Sequence, residues 1–173
     1  PAEVNANITI LNLSKEAAGS KPENFPFEVK QVIGDARKMH NFIDDEFDIV
    51  FSNSVIEHVG SFNDQMSMAE EIQRVGKGYF VQTPNFYFPI EPHFLLPYFQ
   101  ILPLFLKVRI VLFFNINFWW DNEKIRDYDH AYEVASEVRL MTIRELKNMF
   151  LNCLVYKEKF MLLNKSFIVY KKF

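Results

Sequence analysis

Short apolar runs alternate with polar connections along this chain, and their period changes from segment to segment. Residues 7–13 (NITILNL) are β-branched and apolar and stop at Ser14 and Lys15, which predicts a strand. A polar stretch with Gly19, Pro22 and Pro26 follows. Residues 27–33 (FEVKQVI) then predict a second strand, ending at Gly34, Asp35 and Ala36. Residues 47–51 (FDIVF) predict a third, and there the character switches at once to Ser52, Asn53 and Ser54, then Glu57 and His58. In residues 63–75 the apolar positions Met66, Ala69, Ile72 and Val75 fall three apart, with Glu70, Glu71, Gln73 and Arg74 between them. That spacing predicts an amphipathic helix capped by Asn63 or Asp64 and ended by Gly76, Lys77 and Gly78. Residues 79–83 (YFVQT) predict a fourth strand, stopped by Pro84.

The C-terminal part reads differently. Residues 142–151 predict a helix with Thr142 as its cap and Glu145 at the capping-box position. Two runs, 154–163 and 165–170, then predict strands joined at Asn164, close enough for a hairpin. Short apolar strands linked by helices and loops indicate a parallel α/β sheet, here finished by an antiparallel pair.

Residues 86–120 stand apart, dense in Phe, Leu, Ile and Pro. Pro97, Pro103, Lys107 and Arg109 interrupt them, and no run reaches the roughly 18 apolar residues of a membrane-spanning helix. A pair of core or lid helices is the expectation; a membrane-surface face or an apolar substrate pocket are the alternatives.

Composition narrows the class. With 173 residues the chain is one domain, 49% hydrophobic and 24% charged, as in ordinary soluble proteins. Its net charge of −3 provides no electrostatic footprint for nucleic acid. One cysteine, Cys153, cannot form an internal disulfide; it suits a reducing cytoplasm and reads as a small buried hydrophobe among Leu151, Leu154 and Val155. The opening PAEVNANITI has no initiator Met, basic region or apolar core, so it is not expected to be a signal peptide. A processed chain, or a fragment beginning partway through a protein, is the expectation.

Ligands of open parallel sheets bind beyond the carboxyl ends of the strands. Four such ends carry small polar groups here: Asn12 to Ser14, Gly34 to Ala36, Ser52 to Ser54, and Thr83 to Asn85. Around them the sequence resembles a known family. VIGDARKMHNFIDDEFDIVFSNSVIEHV, the following EIQRVGKGYFVQTPNFYFPIEPHF, the helix TIRELKNMF and the closing hairpin are similar to class I S-adenosylmethionine-dependent methyltransferases with a type 11 domain. The resemblance implies an α/β fold, a Rossmann-like, mostly parallel sheet with a C-terminal antiparallel hairpin. It implies one partial domain over residues 1–173, with 86–135 as a helical aromatic-rich insertion or lid. S-adenosylmethionine would be the cofactor. Asp35 would accept a hydrogen bond from the adenine amine, the Ala36 backbone would meet the ring, and Ser52 and Asn53 would line the methionine side. Asn12 stands where the family usually has an acidic residue on the ribose hydroxyls, so it lacks the charge-assisted grip. The first strand and its glycine-rich loop are lacking as well: none of the five glycines forms a strand–GxG–helix unit. Truncation is the simpler explanation, and low activity and stability for this chain alone are the expectation.

Methyl transfer needs an aligned acceptor and, in some cases, a base. Glu57, His58, Glu91, His93 and His130 are the candidates. His58 lies just past a polar strand end, and Glu91 and His93 open the aromatic segment, so His58, His93 and Glu91 are taken as catalytic; a cap or surface role is the alternative for each. No HxH or HxxxH spacing occurs and His40 lies apart, so no metal is expected. The acceptor is expected to be a small molecule or a glycan or lipid intermediate, with peripheral membrane contact through residues 94–120 and no nucleic-acid partner. The competing class is a non-catalytic α/β module that binds a membrane or protein partner through its Phe-rich segment. A nicotinamide-binding enzyme fits less well, since its GxGxxG is also absent.

Overall fold

The computed structural model describes residues 6–14, 29–118, 121 and 123–172. In chain order it contains β1 (Ile8–Asn12), β2 (Val29–Ile33), β3 (Phe47–Asn53), a 3₁₀ turn (Ile56–His58), α1 (Phe62–Val75) and β4 (Gly76–Pro84). These are followed by β5 (Ile90–Glu91), β6 (Leu96–Pro97), a second 3₁₀ turn (Phe99–Ile101), α2 (Leu104–Phe114) and α3 (Tyr128–Ser136). The chain then forms α4 (Ile143–Met149), β7 (Leu154–Phe160) and β8 (Leu163–Lys171).

Two sheets carry the fold. β1 and β2 pair in parallel, with Asn12 opposite Ile33. The larger sheet has the order β3-β4-β8-β7, its first pair parallel and the other two antiparallel. This is the α/β architecture expected, with parallel strands at one side and an antiparallel hairpin at the other. Against the larger sheet pack Met68, Ala69, Ile72 and Val75 of α1 and Leu146 and Met149 of α4, around Tyr79, Val81, Phe167 and Val169. β1 and β3 do not pair with one another, and a cleft of about 780 Å³ runs between them. Ile8 to Leu11 form one wall, Phe47 and Ile49 to Asn53 the other, and Met68, Ile72 and Val75 of α1 also line it. The β3 edge there is apolar and open, with Phe51 69% exposed.

Several boundaries differ from the periodic reading, each for a local reason. Residues 27–28 of the second expected strand lie outside the described residues. The third strand continues through Ser52 and Asn53, because their backbones pair with Val81 and Gln82. α1 is capped by Ser61, not by Asn63 or Asp64. The Ser61 hydroxyl accepts from the Asp64 N–H while the Asp64 carboxylate takes the Ser61 N–H, so Asp64 completes the box from inside the helix. Gly76 ends α1 as expected, its N–H donating to the Ile72 carbonyl, and the same residue opens β4 by pairing with Phe47. α4 keeps the expected box, Thr142 with Glu145. The hairpin turns at Met161 and Leu162, not at Asn164, since Phe160 pairs with Leu163 and Met161 takes a positive φ of 53°. Burial of Phe167 and Val169 sets that register, and a one-residue slip would turn both outward.

Among the described residues of the aromatic segment there is one α-helix rather than two. α2 packs on α3, which lies beyond it, and together with Phe94, Phe99 and Phe118 they enclose a second core of Val108, Val111, Ala131, Val134 and Ala135. Cys153 is half-buried against the main core, while its neighbours Leu151 and Leu154 are exposed.

Candidate functional site

Strand pairing brings the predicted polar ends together. The Gly34 N–H donates to the Asn12 carbonyl at 2.9 Å, so Asp35 emerges beside the end of β1. Ala36, Ser52 and Asn53, from two different strand ends, line the same cleft. Two buried polar atoms at this end have no partner among the described residues, Asn12 Nδ2 and Ser52 Oγ. A buried donor left unmade costs about 1–3 kcal/mol, so such atoms mark a place where a polar ligand would restore the balance. The Asp35 carboxylate is held on both oxygens by Arg37, Nε at 3.0 Å to each and NH2 at 2.7 Å to Oδ2. This hydrogen-bonded ion pair keeps its pKa below the usual carboxylate value. The Arg37 backbone N–H also donates to Oδ1 at 2.8 Å, so Arg37 alone takes about all four acceptor positions of the carboxylate, and a further donor would have to displace part of that grip.

Past Asn53 the chain kinks at Ser54, whose φ is +51°, and enters the 3₁₀ turn with Glu57 and His58. Gln65, fully buried on α1, ties this turn down: its Nε2 donates to the Ile56 carbonyl at 3.1 Å and the Arg139 carbonyl at 2.8 Å. The Arg139 N–H donates in turn to the Glu57 carbonyl at 2.9 Å. Glu57 is thereby pinned in the interior, where Thr83 Oγ1 donates to its Oε2 at 2.9 Å and its Oε1 has no hydrogen-bond partner among the described residues. Burial raises its pKa, and the residue's own backbone N–H and Thr83 only partly offset that.

Facing it, Glu91 and His93 arrive on the β5 turn. Glu91 Oε2 accepts from the backbone N–H groups of His93 and Phe94, both at 2.8 Å, and its Oε1 lies 2.6 Å from His93 Nδ1. The rings of His58 and His93 meet edge to face with centroids 4.9 Å apart, and Phe118 stands 6.5 and 6.2 Å from them. His58 is partly open, and its Nδ1 lies 3.5 Å from Glu137 Oε1, a contact that raises its pKa. One donor atom each from Glu57, His58 and His93 falls within 4.8 Å of the others.

The expected catalytic residues His58, His93 and Glu91 thus form one cluster with Glu57, although they come from segments some 35 positions apart (93 − 58). His130 does not join them: it sits on the first turn of α3, where its Nδ1 accepts from Arg126. Sequence reading missed Glu137 and Phe118, which have no local signature and reach the cluster only through packing of the second core. It missed Arg37 as well, although a cation two residues from a strand-end carboxylate is a local signal that closes readily onto it.

Residues 2–81 match the family of the methyltransferase domain. The match covers just under half of the chain. Among curated proteins, an uncharacterised protein of Mycobacterium tuberculosis, present in two strains, is 31% identical over 84 residues. The alignment covers 49% of this chain and 26% of the relative, so the chain spans only a fraction of the curated relatives it matches. Two solved structures share the fold. An S-adenosylmethionine-dependent methyltransferase from Mesorhizobium loti has a TM-score of 0.58 at 12% identity, covering 95% of this chain and 79% of that one. Another, from Methanosarcina mazei, has a TM-score of 0.52 at 16% identity, covering 95% and 80%.

Proposed function

We propose that this chain binds S-adenosylmethionine in the cleft between β1 and β3 and serves methyl transfer to an apolar or amphipathic acceptor, a small molecule or a glycan or lipid intermediate. The observation that carries this reading is the convergence of Ala36, Ser52 and Asn53 on one cleft, where Ser52 Oγ is buried without a partner among the described residues, as is Asn12 Nδ2 at the end of β1. When bound, the cofactor supplies an already activated methyl group on a sulfonium. The residues present fit it. Asn12 offers an amide to hydroxyls, Asp35 a carboxylate to an exocyclic amine, Ala36 a small side chain beside a flat ring, and Ser52 and Asn53 a polar wall. The cluster of Glu57, His58, Glu91 and His93 follows directly from that wall and provides the polar groups that would orient an acceptor and take its proton. No strand–GxG–helix unit occurs among the five glycines, so binding by this stretch is expected to be weak.

Titration of the 173-residue chain with S-adenosylmethionine to millimolar concentration tests this. Saturable binding is expected, weakened about tenfold or more in Asp35→Ala, which corresponds to about 1.4 kcal/mol; melting of the variant separates lost binding from lost folding. Absence of saturable binding overturns the reading.

A second reading draws on α2, where Phe105, Phe113 and Phe114 are exposed. Among the described residues no helix is long and apolar enough to cross a membrane. The exposed face supports peripheral contact with a membrane from the cytoplasmic side, whether or not the chain is catalytic.

A further inference from the structure

The cluster of Glu57, His58 and His93 carries an inference that stands independently of methyl transfer. We propose that these three side chains form a binding site for a divalent transition metal of the zinc class. Their donor atoms lie within 4.8 Å of one another, close enough to converge on a single ion after small rotations. Glu57 is fully buried, and its Oε1 has no hydrogen-bond partner among the described residues. An isolated carboxylate oxygen in the interior is costly, and a bound cation is one of the few ways to satisfy it.

Each donor also has an orienting neighbour, as metal ligands typically do. Thr83 holds the other oxygen of Glu57 at 2.9 Å. Glu91 lies 2.6 Å from Nδ1 of His93, favouring the tautomer whose Nε2 presents a lone pair. Glu137 stands 3.5 Å from Nδ1 of His58, which leaves that ring's Nε2 for the ion. Glu91 itself is committed, since its second oxygen accepts two backbone N–H groups, so it acts behind the ligands and not among them.

Two imidazoles and one carboxylate favour zinc, cobalt, nickel or iron over magnesium or calcium, which prefer all-oxygen sites. Three protein ligands leave at least one coordination position open, as in catalytic rather than structural zinc sites. If methyl transfer is also correct, an acceptor hydroxyl at that position would lose its proton more readily; this consequence alone rests on the reading above.

Cobalt(II) serves as the probe, because its visible absorption reports coordination directly. Metal-free 173-residue chain is titrated with Co²⁺ and then challenged with Zn²⁺. One equivalent of absorbing complex is expected, displaced by zinc. Glu57→Gln and His58→Ala should each weaken it more than about tenfold, while Glu91→Gln, which only loosens His93, should weaken it about tenfold. His40→Ala and His130→Ala, elsewhere on the molecule, should leave it unchanged. Glu57 is a core residue, so circular dichroism checks its variant; partly open His58 gives the deciding variant if Glu57→Gln misfolds. A complex that survives His58→Ala, that depends on His40 or His130, or that fails to form at all overturns the site.

Discussion

Gly76 shows how much a single position constrains the sheet. A Cβ there would lie 2.7 Å from Val50 Cγ2 and 2.8 Å from the Gly78 carbonyl oxygen, one contact with the neighbouring strand and one with backbone. The φ of −109° is open to any residue, so the need for glycine is steric and not conformational. Gly76→Ala is therefore expected to destabilise the fold by about 1–3 kcal/mol, seen as a lower urea midpoint. Unchanged stability would mean that β3 and β4 shift apart freely. The same scale separates legible from illegible site residues. Asp35 and Ala36 stand at the end of an apolar run and are visible in the sequence, as are Ser52 and Asn53. The open oxygen of Glu57 is not visible, because it depends on Thr83 occupying one oxygen and no hydrogen-bond partner among the described residues reaching the other.

Among the elements, α2 departs furthest from its pattern. Its sequence, LFLKVRIVLFF, is apolar on nearly every side, yet only Val108 and Val111 are fully buried. Phe113 and Phe114 lie 82% and 64% exposed at its C-terminal end. Replacing both with Ser should change unfolding stability by no more than about 0.5 kcal/mol, as expected of surface positions. If this face meets lipid, the chain should sediment with mixed zwitterionic and anionic vesicles, and the double variant should stay in solution. Equal sedimentation of the two proteins would remove the membrane reading. Lys107, on the same helix, takes another course: burial lowers its pKa, and its Nζ lies 5.7 Å from the Phe99 ring centroid. Helix α1 was readable to within one or two residues because its period is regular. Its cap was misplaced because Ser61, Asn63 and Asp64 are all competent capping residues, and only the backbone turn at Ser61 chooses among them.

Across the molecule, several carboxylates depend on nearby hydrogen bonds and cations. Arg37 lowers Asp35, Ser61 lowers Asp64 and Arg74 lowers Glu71; for Glu145 burial pulls upward, but Thr142 and Arg139 outweigh it. A carboxylate whose folded pKa lies below its unfolded value stabilises the fold above the unfolded pKa, and loses that contribution as pH falls through the folded one. Glu71 joins α1 to the preceding loop, accepting from the Met39 N–H at 2.5 Å and from Arg74 at 2.7 Å. Glu71→Gln should be less stable than the parent near neutral pH, and the gap in melting temperature should close as pH drops below about 4, where the parent carboxylate also becomes neutral. A constant gap down to pH 2.5 would show that packing, not charge, carries the contribution.

By itself the sequence determined the alternation of strands and helices, the polar strand ends and the similarity to methyltransferases, since these depend on neighbours within a few residues along the chain. It also contained Glu57, His58, Glu91 and His93 as separate candidates. The absence of closely spaced histidines argued against a metal, but that spacing rule addresses ligands carried on one element. Only the tertiary structure decided that the turn after β3 and the loop after β4 face each other, with Gln65 and Arg139 fixing one side and Glu91 the other. Convergence of residues distant in sequence depends on strand order and core packing, which no local pattern encodes.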